Sequence, residues 1–259
     1  MPPIVTGLRP RPKQVPGLPA EGPAFQRLLL AWYRRHRRRL PWRGVRDPYA
    51  VLVSEIMLQQ TQVARVIDYW PRFLARYPTL EDLAAAPADA VRESWAGLGY
   101  YARARNLHAA AKVMVAELAA RVPHEVAELR KLPGIGRYTA GAVASLAYGA
   151  DVPAVDTNAA RVLARVFGVR GRKGKARRER RLWTIAAALV PRGESADWNQ
   201  ALMDLGASYC AARAPRCPLC PVRRSCALAR RSGDRRAAVP ARKAGGRRGR
   251  ARGGMGAGA

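Results

Sequence analysis

Long segments with a helical pattern of apolar residues fill most of the chain and limit the folds it can adopt. Between turn signals, nearly every segment is rich in Ala, Leu, Val and Arg and longer than ten residues. The strict apolar and polar alternation of half-buried strands is absent from the sequence. The sequence therefore predicts an all-α fold. Beyond a first helix near Phe25, the predicted helices cover residues 48–65, 66–76, 80–86, 88–95, 101–119, 125–130, 137–148, 156–167, 177–190 and 197–209.

The charge balance indicates the kind of partner. The chain carries 47 Lys and Arg against 18 Asp and Glu, a formal net charge of +29, which favours a polyanion. No stretch approaches the roughly 18 uncharged apolar residues that a membrane span needs. The first 17 residues have prolines and scattered charge where a signal peptide needs a continuous apolar stretch. We therefore expect a cytosolic protein with no membrane partner.

Both ends of the chain lack the apolar residues that a folded segment needs. Six prolines fall in residues 1–21, which predicts a disordered leader over 1–23. Gly, Ala and basic residues dominate the end of the chain, which predicts a disordered basic tail over 229–259. Without the net +9 of residues 230–259, the rest of the chain still carries +20. Nucleic acid therefore remains the expected partner of the folded part.

Four cysteines are confined to seventeen residues, with the spacing Cys210-x6-Cys217-x2-Cys220-x5-Cys226. In a reducing compartment, this clustering favours metal ligation over a disulfide framework. Four thiolates suit either a tetrahedral zinc ion or a four-iron cluster, and the spacing alone does not choose between them.

Two loops with paired glycines, residues 97–101 and 132–136, are candidate contact loops. In the second, Gly134, Gly136 and Arg137 lie at the start of a predicted helix. Backbone N–H groups there can hold a phosphate without distinguishing the bases. The alternative is a tight turn between two helices.

One carboxyl group lies within an apolar helix. Glu55 has Val51, Leu52, Ile56 and Leu58 around it, and burial there would raise its pKa. Glu55, Gln59 and Gln62 would share one face at helical spacing. The alternative is a solvent-facing polar stripe.

A second carboxyl group, Asp156, ends the apolar approach Pro153–Val155 and precedes a helix. Its ordinary role would be that of a helix N-cap. Cleavage of a glycosidic bond needs an acid for the leaving group and an anion for the cationic sugar. Glu55 and Asp156 could supply that pair.

These segments together resemble the helix-hairpin-helix DNA glycosylase superfamily, which includes endonuclease III, over about residues 25–228. The similarity is greatest to its A/G-mismatch-specific adenine glycosylases. The motifs that carry it are LPWR at 40–43, SEIMLQQTQV at 54–63, GLGYYARARNLH at 97–108, LPGIGRYTAGAVASLA at 132–147, VDTNAARVLAR at 155–165, WNQALMDLGASYC at 198–210 and the four-cysteine loop.

The resemblance implies a six-helix barrel over 43–153, with the hairpin at 132–137. The barrel would face a [4Fe–4S] cluster domain made of residues 24–42 and 154–228. The resemblance thus favours a [4Fe–4S] cluster over zinc as the metal centre bound by the four cysteines. DNA would lie across the cleft. The resemblance further implies a monomer in the bacterial cytosol, associated with the nucleoid. Its partner would be double-stranded DNA containing a mismatch.

The resemblance also implies roles in catalysis. Glu55 would protonate N7 of adenine, and Asp156, with Asn158 nearby, would stabilise the sugar cation. Tyr138 takes the position where endonuclease III has a lysine that forms a Schiff base. Strand cleavage by that route is therefore expected to be weak or absent.

Other positions match residues that contact DNA in the superfamily. Gln60 would enter the base stack and Tyr100 would act as a wedge at the partner strand. Trp42, Arg43 and Gln200 would line the base pocket. The predicted DNA contacts also include Gln59, Gly134, Gly136 and Arg137.

Two features depart from the adenine-specific group. Thr157 stands where those enzymes usually have Gly, and only a Gly- and Arg-rich tail follows Cys226 where they continue into a Nudix-like domain that recognises 8-oxoguanine. The expected reaction is release of adenine opposite 8-oxoguanine or guanine. The alternatives are a thymine glycosylase for T:G mismatches and a cluster-bearing DNA-binding module without catalysis.

Overall fold

The computed structural model describes residues 19–169 and 174–231. The all-α prediction is confirmed for these residues, which contain no β-strand. The helices are α1 (Gly22–His36), α2 (Pro48–Leu58), α3 (Val63–Arg76), α4 (Leu80–Ala85), α5 (Ala88–Ser94), α6 (Ala102–Glu117), α7 (Val126–Leu129), α8 (Arg137–Tyr148), α9 (Thr157–Val166), α10 (Lys175–Leu189), α11 (Ser195–Ser208) and α12 (Ala227–Arg231), with 3₁₀ turns at Cys217–Leu219 and Arg223–Ser225. Within these described residues, no helix combines the length and apolar character needed to cross a membrane.

The segment predicted as one helix over 48–65 forms two helices. α2 ends before Gln59, Gln60 has a left-handed backbone with φ of +57°, and Gln62 is the N-cap of α3. The predicted common helical face of Glu55, Gln59 and Gln62 is therefore wrong, because the chain changes direction between them.

Helices extend into both segments predicted to be disordered. α1 begins at Gly22, inside the predicted leader 1–23, and α12 ends at Arg231, inside the predicted tail 229–259. Both predictions are wrong at these positions. Pro23 suits the first turn of a helix, and α12 packs against α9. The other residues of the leader before residue 19 and of the tail after residue 231 lie outside the described residues.

A first apolar core joins α2–α8. Among its fully buried side chains are Trp95, Phe73, Leu107 and Met114. Trp42 also belongs to this core, where its ring packs edge-on against another tryptophan at a centroid distance of 6.3 Å. The segment just before α2 therefore packs with the helices that follow it.

A second apolar core joins α1 with α9, α10, α11 and the cysteine loop. Phe25 of α1 packs edge-on against Trp198 of α11, with ring centroids 5.5 Å apart. Val222 and Cys226 bring the cysteine loop into the same core. The N-terminal helix therefore folds together with the C-terminal part of the described chain.

The two cores meet where α11 contacts α8. The buried side chain of Asn199 accepts a hydrogen bond from the backbone N–H of Ala154 at 3.0 Å and donates to Ser145 Oγ at 2.9 Å. The same segment passes so close to α8 that a Cβ atom added to Gly141 would lie 2.3 Å from the carbonyl oxygen of Pro153. These contacts fix the chain that leads to Asp156.

This close approach gives a stability prediction for Gly141→Ala. Alanine has the higher helix propensity, yet its Cβ would collide with a backbone carbonyl that Asn199 holds in place. We expect a loss of about 1–3 kcal/mol in the free energy of unfolding, measured by urea denaturation. Gly136→Ala, where a Cβ would meet no atom within 4 Å, is the control, and we expect a loss of at most about 1 kcal/mol because alanine is a poorer N-cap of α8 than glycine. A stabilised Gly141→Ala protein would contradict the predicted clash.

Candidate active site

A cleft of about 860 Å³ lies between the two cores, with walls from α2, α8, α9 and α11. It brings together most of the residues singled out from the sequence, namely Trp42, Arg43, Glu55, Gln59, Gln60, Gly134, Gly136, Arg137, Tyr138, Asp156, Asn158 and Gln200. Tyr100 is not among the lining residues.

Glu55 is the buried carboxyl group of this cleft, with 4% of its surface exposed. Its Oε2 accepts a 2.6 Å hydrogen bond from the hydroxyl of Tyr138. Burial raises the pKa of Glu55; the Tyr138 hydrogen bond and the charge of Arg43 oppose that rise, and the charge of Asp156 adds to it. The burial excludes the alternative of a solvent-facing stripe for this residue. Its environment favours the protonated form, as a general acid requires.

Tyr138 stands beside Glu55 near the start of α8. Burial, together with the charges of Glu55 and Asp156, raises the pKa of Tyr138 well above its usual value. The hydroxyl therefore keeps its proton and acts as a donor to the carboxyl group. Because a phenol cannot form an imine, this position offers no nucleophile of the lysine kind.

Asp156 is the N-cap of α9 and also lines the cleft. Its Oδ1 accepts a 2.6 Å hydrogen bond from the backbone N–H of Ala159, as an N-cap of α9 does. Its Oδ2 accepts from Asn158 Nδ2 at 2.9 Å, and the side chain lines the cleft. Burial raises the pKa of Asp156, while these hydrogen bonds and the charge of Arg161 oppose the rise. The bonds stabilise the anion that the second carboxyl role requires.

The orientation of Asn158 is fixed from behind the cleft. Its Oδ1 accepts a 2.6 Å hydrogen bond from Arg161, whose guanidinium also donates to the carbonyl groups of Gly206 and Cys210 at 2.8 Å each. A Cβ atom at Gly206 would lie 2.6 Å from Cβ of Asn158. The glycine therefore lets α11 approach the start of α9. Neither Arg161 nor Gly206 was predicted as a site residue from the sequence, although they lie in the motifs at 155–165 and 198–210.

A polar network forms one wall of the cleft. Gln200 Oε1 accepts hydrogen bonds from Arg43 and from the hydroxyl of Tyr33, each at 2.5 Å. Asp204, 3% exposed, accepts from Arg43 at 3.0 Å and from Arg38 Nε at 2.8 Å. Because its carbonyl oxygen is engaged, Gln200 has its amide N–H groups left for a ligand. Tyr33 and Asp204 were missed, since nothing in their spacing links them to Arg43.

The remaining predicted DNA contacts lie toward the rim or surface. Gln60 is exposed, and Tyr100 is 60% exposed with a left-handed φ of +49°. Gln59 donates to Thr139 Oγ1 at 3.2 Å. The guanidinium of Arg137 stacks 3.8 Å from the ring centroid of Trp183 in α10. Arg137 therefore links the hairpin to α10, an interaction that the sequence did not indicate.

The four cysteines line a second, smaller pocket at the far end of α9. Burial and the neighbouring sulfur atoms raise the pKa of Cys220 to about 11 and also raise that of Cys217. Arg165 NH1 lies 3.3 Å from Cys210 Sγ. The donor set, four thiols around one pocket beside a cationic group, fits a thiolate-bound metal centre. Within residues 19–169 and 174–231, however, no group of three His, Cys, Asp or Glu side chains is arranged to hold a metal ion.

The fold is all-helical, and its cleft contains both Glu55 and Asp156. The family model described as HhH-GPD superfamily base excision DNA repair protein matches residues 53–188. The chain belongs to this superfamily.

Relatives and solved structures agree with this membership. The chain is 45% identical to an adenine DNA glycosylase of Rattus norvegicus, over 84% of this chain and 44% of that protein. It is 46% identical to an adenine DNA glycosylase of Mycobacterium tuberculosis, over 75% of this chain and 64% of that protein. The chain thus spans less than half the length of the rat relative. A thermostable thymine-DNA glycosylase, 33% identical, superposes with a TM-score of 0.75 over 82% of this chain and 97% of its own. The protein of an endonuclease III–DNA complex, 26% identical, superposes with a TM-score of 0.67 over 82% of this chain and 97% of its own.

The raised pKa of Glu55 gives a pH-dependent stability prediction for Glu55→Gln. In the window between the ordinary pKa of glutamate and the raised one, the folded wild type holds a proton that the unfolded chain has lost. Wild-type stability therefore falls as pH rises through this window. We expect Glu55→Gln to melt higher than the wild type at about pH 8 and equally near about pH 3.

Thermal unfolding at both pH values measures this difference. Glu93→Gln, at an exposed position of α5, is the control and should match the wild type throughout. A Glu55→Gln protein less stable than the wild type at the higher pH would contradict the burial argument.

Proposed function

We propose that this protein is a base-excision-repair DNA glycosylase that releases adenine mispaired with 8-oxoguanine or guanine by hydrolysing its N-glycosidic bond. The observation that carries the proposal is the buried carboxyl of Glu55, hydrogen-bonded by Tyr138 in the cleft that Asp156 also lines. The names of the rat and mycobacterial relatives support adenine as the base.

The two carboxyl groups divide the reaction between them. Glu55 donates its proton to N7 of the extruded adenine while the C1′–N9 bond breaks and its electrons leave with the base. Asp156 acts as the carboxylate, the form that its hydrogen bonds stabilise, and it stabilises the positive charge on the sugar. Water adds to C1′, its proton passes to solvent through Asp156, and Glu55 recovers a proton from solvent. Removal of either carboxyl therefore affects the chemical step.

The polar wall supplies recognition of the base. Arg43 and Tyr33 hold the carbonyl oxygen of Gln200, so the amide N–H groups of Gln200 face the acceptor positions of adenine. Trp42 offers a flat apolar surface at the cleft. Binding to duplex DNA rests on the net charge and on the backbone N–H groups of the hairpin at Gly134 and Gly136. We also propose that the protein acts as a monomer at the nucleoid, in the cytosol.

Thymine opposite guanine is a second candidate substrate. The thymine-DNA glycosylase that superposes on this chain supports it, because that solved structure spans the same part of the fold. The noncatalytic DNA-binding module is the third candidate, and it predicts no base release from any duplex.

We propose that Cys210, Cys217, Cys220 and Cys226 hold a [4Fe–4S] cluster. When bound, the cluster would hold the loop in one shape for DNA contact, and it takes no part in base release. The chain's own residues support this use, because Arg165 donates to the carbonyl groups of Cys210, Ala211 and Ala212 and so ties the loop to α9. Zinc is the alternative for the same four thiols.

The substrate proposal is tested with duplexes that differ only in the mispair, namely A:8-oxoguanine, A:G, T:G and a matched A:T control. After incubation, alkali converts each abasic site into a strand break. We expect breaks at adenine in the first two duplexes and a loss of about 10²–10⁴-fold for Glu55→Gln. Duplex affinity should be nearly unchanged in that variant.

Glu93→Gln is the matched control and should retain wild-type activity. Strand breaks at thymine in the T:G duplex alone would show that thymine opposite guanine, and not adenine, is the substrate. Equal activity of the wild type and Glu55→Gln would exclude the acid role of Glu55.

The metal proposal is tested by purifying the protein anaerobically. We expect broad visible absorption and about four irons per chain, with both lost in Cys217→Ser. Ser225→Ala, in the same loop, is the control and should keep both. Zinc in place of iron in the purified protein would contradict the proposed [4Fe–4S] cluster. Circular dichroism should show retained helicity in Cys217→Ser while duplex affinity falls.

A further inference from the structure

Arg103 is a buried cation whose guanidinium joins two loops. It lies in α6 with 8% of its surface exposed. One terminal nitrogen donates to the carbonyl groups of Ile56, Met57 and Gln59, at 3.0, 2.8 and 2.5 Å. The other donates to Thr61 Oγ1 at 2.9 Å, Leu98 O at 3.2 Å and Gly99 O at 3.0 Å. The six acceptors come from the end of α2 with the loop after it, and from the loop before α6.

Each of these loops carries one exposed residue in a strained backbone conformation. Gln60 follows α2 with φ of +57°, and Tyr100 precedes α6 with φ of +49°. A left-handed conformation at a residue other than glycine costs about 1–3 kcal/mol and persists only where its surroundings hold it. The backbone bonds of the first loop are long, with Gln59 N to Ile56 O and Thr61 N to Leu58 O both at 3.4 Å. That loop therefore depends on Arg103 for its shape.

The position of Tyr100 depends on the same side chain. The guanidinium carbon of Arg103 lies 5.5 Å from the ring centroid of Tyr100 and 5.5 Å from that of Trp95. Trp95 also donates to Gly99 O at 3.2 Å. Arg103 thus contacts the backbone beside both exposed residues and the ring of one of them.

We propose that Arg103 is a positioning residue that fixes the spacing of Gln60 and Tyr100, so that both enter the duplex together and expel the target base. This inference rests on the proposed function, because it assigns the two exposed side chains to opening DNA. The guanidinium has two terminal nitrogens in a rigid plane. One donates only to the α2 side of the junction, and the other donates to Thr61 on that side and to Leu98 and Gly99 before α6. A lysine has one ammonium group and cannot occupy both positions.

Arg103→Lys keeps the positive charge. Comparing its activity on two DNA substrates distinguishes a positioning role from a general contribution to protein stability. On an intact A:G duplex, we expect single-turnover adenine release to fall about tenfold to a hundredfold, since a displacement of about 1 Å has effects of this size. On an adenine already unpaired in a bubble, we expect release within about threefold of the wild type, because no base pair remains to be opened. Arg105→Lys, at an exposed position of the same helix, is the control and should show neither change.

Thr61→Val provides a milder variant if Arg103→Lys folds poorly. It removes one of the six acceptors and leaves the guanidinium in place. We expect the same selective loss on the intact duplex, smaller in size. Equal losses on duplex and bubble for both variants would overturn the positioning role and leave Arg103 as a structural residue only.

A double-mutant cycle tests whether Arg103 acts through the two exposed side chains. In a Gln60→Ala, Tyr100→Ala background, Arg103→Lys should cause little further loss on the intact duplex. A loss as large as in the wild-type background would contradict the proposal.

Fluorescence of 2-aminopurine next to the target base measures opening of the stack without base release. We expect the wild type to raise the fluorescence and Arg103→Lys to raise it much less. If the wild type raises it in an Arg103-dependent manner but releases no adenine, the proposed substrate is wrong and the positioning role stands. If Arg103→Lys raises it as fully as the wild type does, the positioning role is wrong whatever the substrate.

Discussion

Burial of the Glu55 carboxyl is the constraint on which the rest of the structure depends. An ionised carboxylate in an apolar helix is costly, so the site favours the neutral acid. The packing of α2 against α8 creates that environment and brings the Tyr138 hydroxyl to 2.6 Å from Glu55. The first core therefore does more than stabilise the fold, because it raises the pKa of a group in the cleft. The hydrogen bond and the nearby arginine limit the pKa rise without reversing it.

Burial raises the pKa of Asp156 as well, but more hydrogen bonds oppose the rise there than at Glu55. Asp156 lies at the N-terminus of α9, where a backbone N–H and the Asn158 amide stabilise negative charge. Buried Asn199 fixes the chain before it, and Arg161 fixes Asn158 behind it. One cleft therefore contains two carboxyl groups whose pKa burial raises, and at Asp156 several hydrogen bonds and the charge of Arg161 oppose that rise. Two carboxyl groups in different environments are what cleavage of a glycosidic bond requires.

Helical periodicity was sufficient for the fold class, and the family resemblance supplied most of the predicted residues that line the cleft. Helical periodicity reports burial on one face, and Glu55 is conspicuous in an apolar helix. The break after α2 could not be predicted, because the left-handed conformation of Gln60 depends on Arg103, whose partner Gln59 lies 44 residues away. The network of Arg43 with Asp204 spans 161 residues, so no local pattern indicates it. Interactions set by tertiary packing were the ones missed.

The measurement that tests this account most directly is the titration of Glu55 itself, by carbon NMR of protein with ¹³C-labelled glutamate carboxyl groups. Comparison with Glu55→Gln assigns the resonance. The account predicts that the Glu55 signal keeps the chemical shift of a protonated carboxyl at pH values where the exposed glutamates have ionised. A Glu55 resonance that titrates together with the exposed glutamates would contradict it, because the cleft would then hold two carboxylates and no acid.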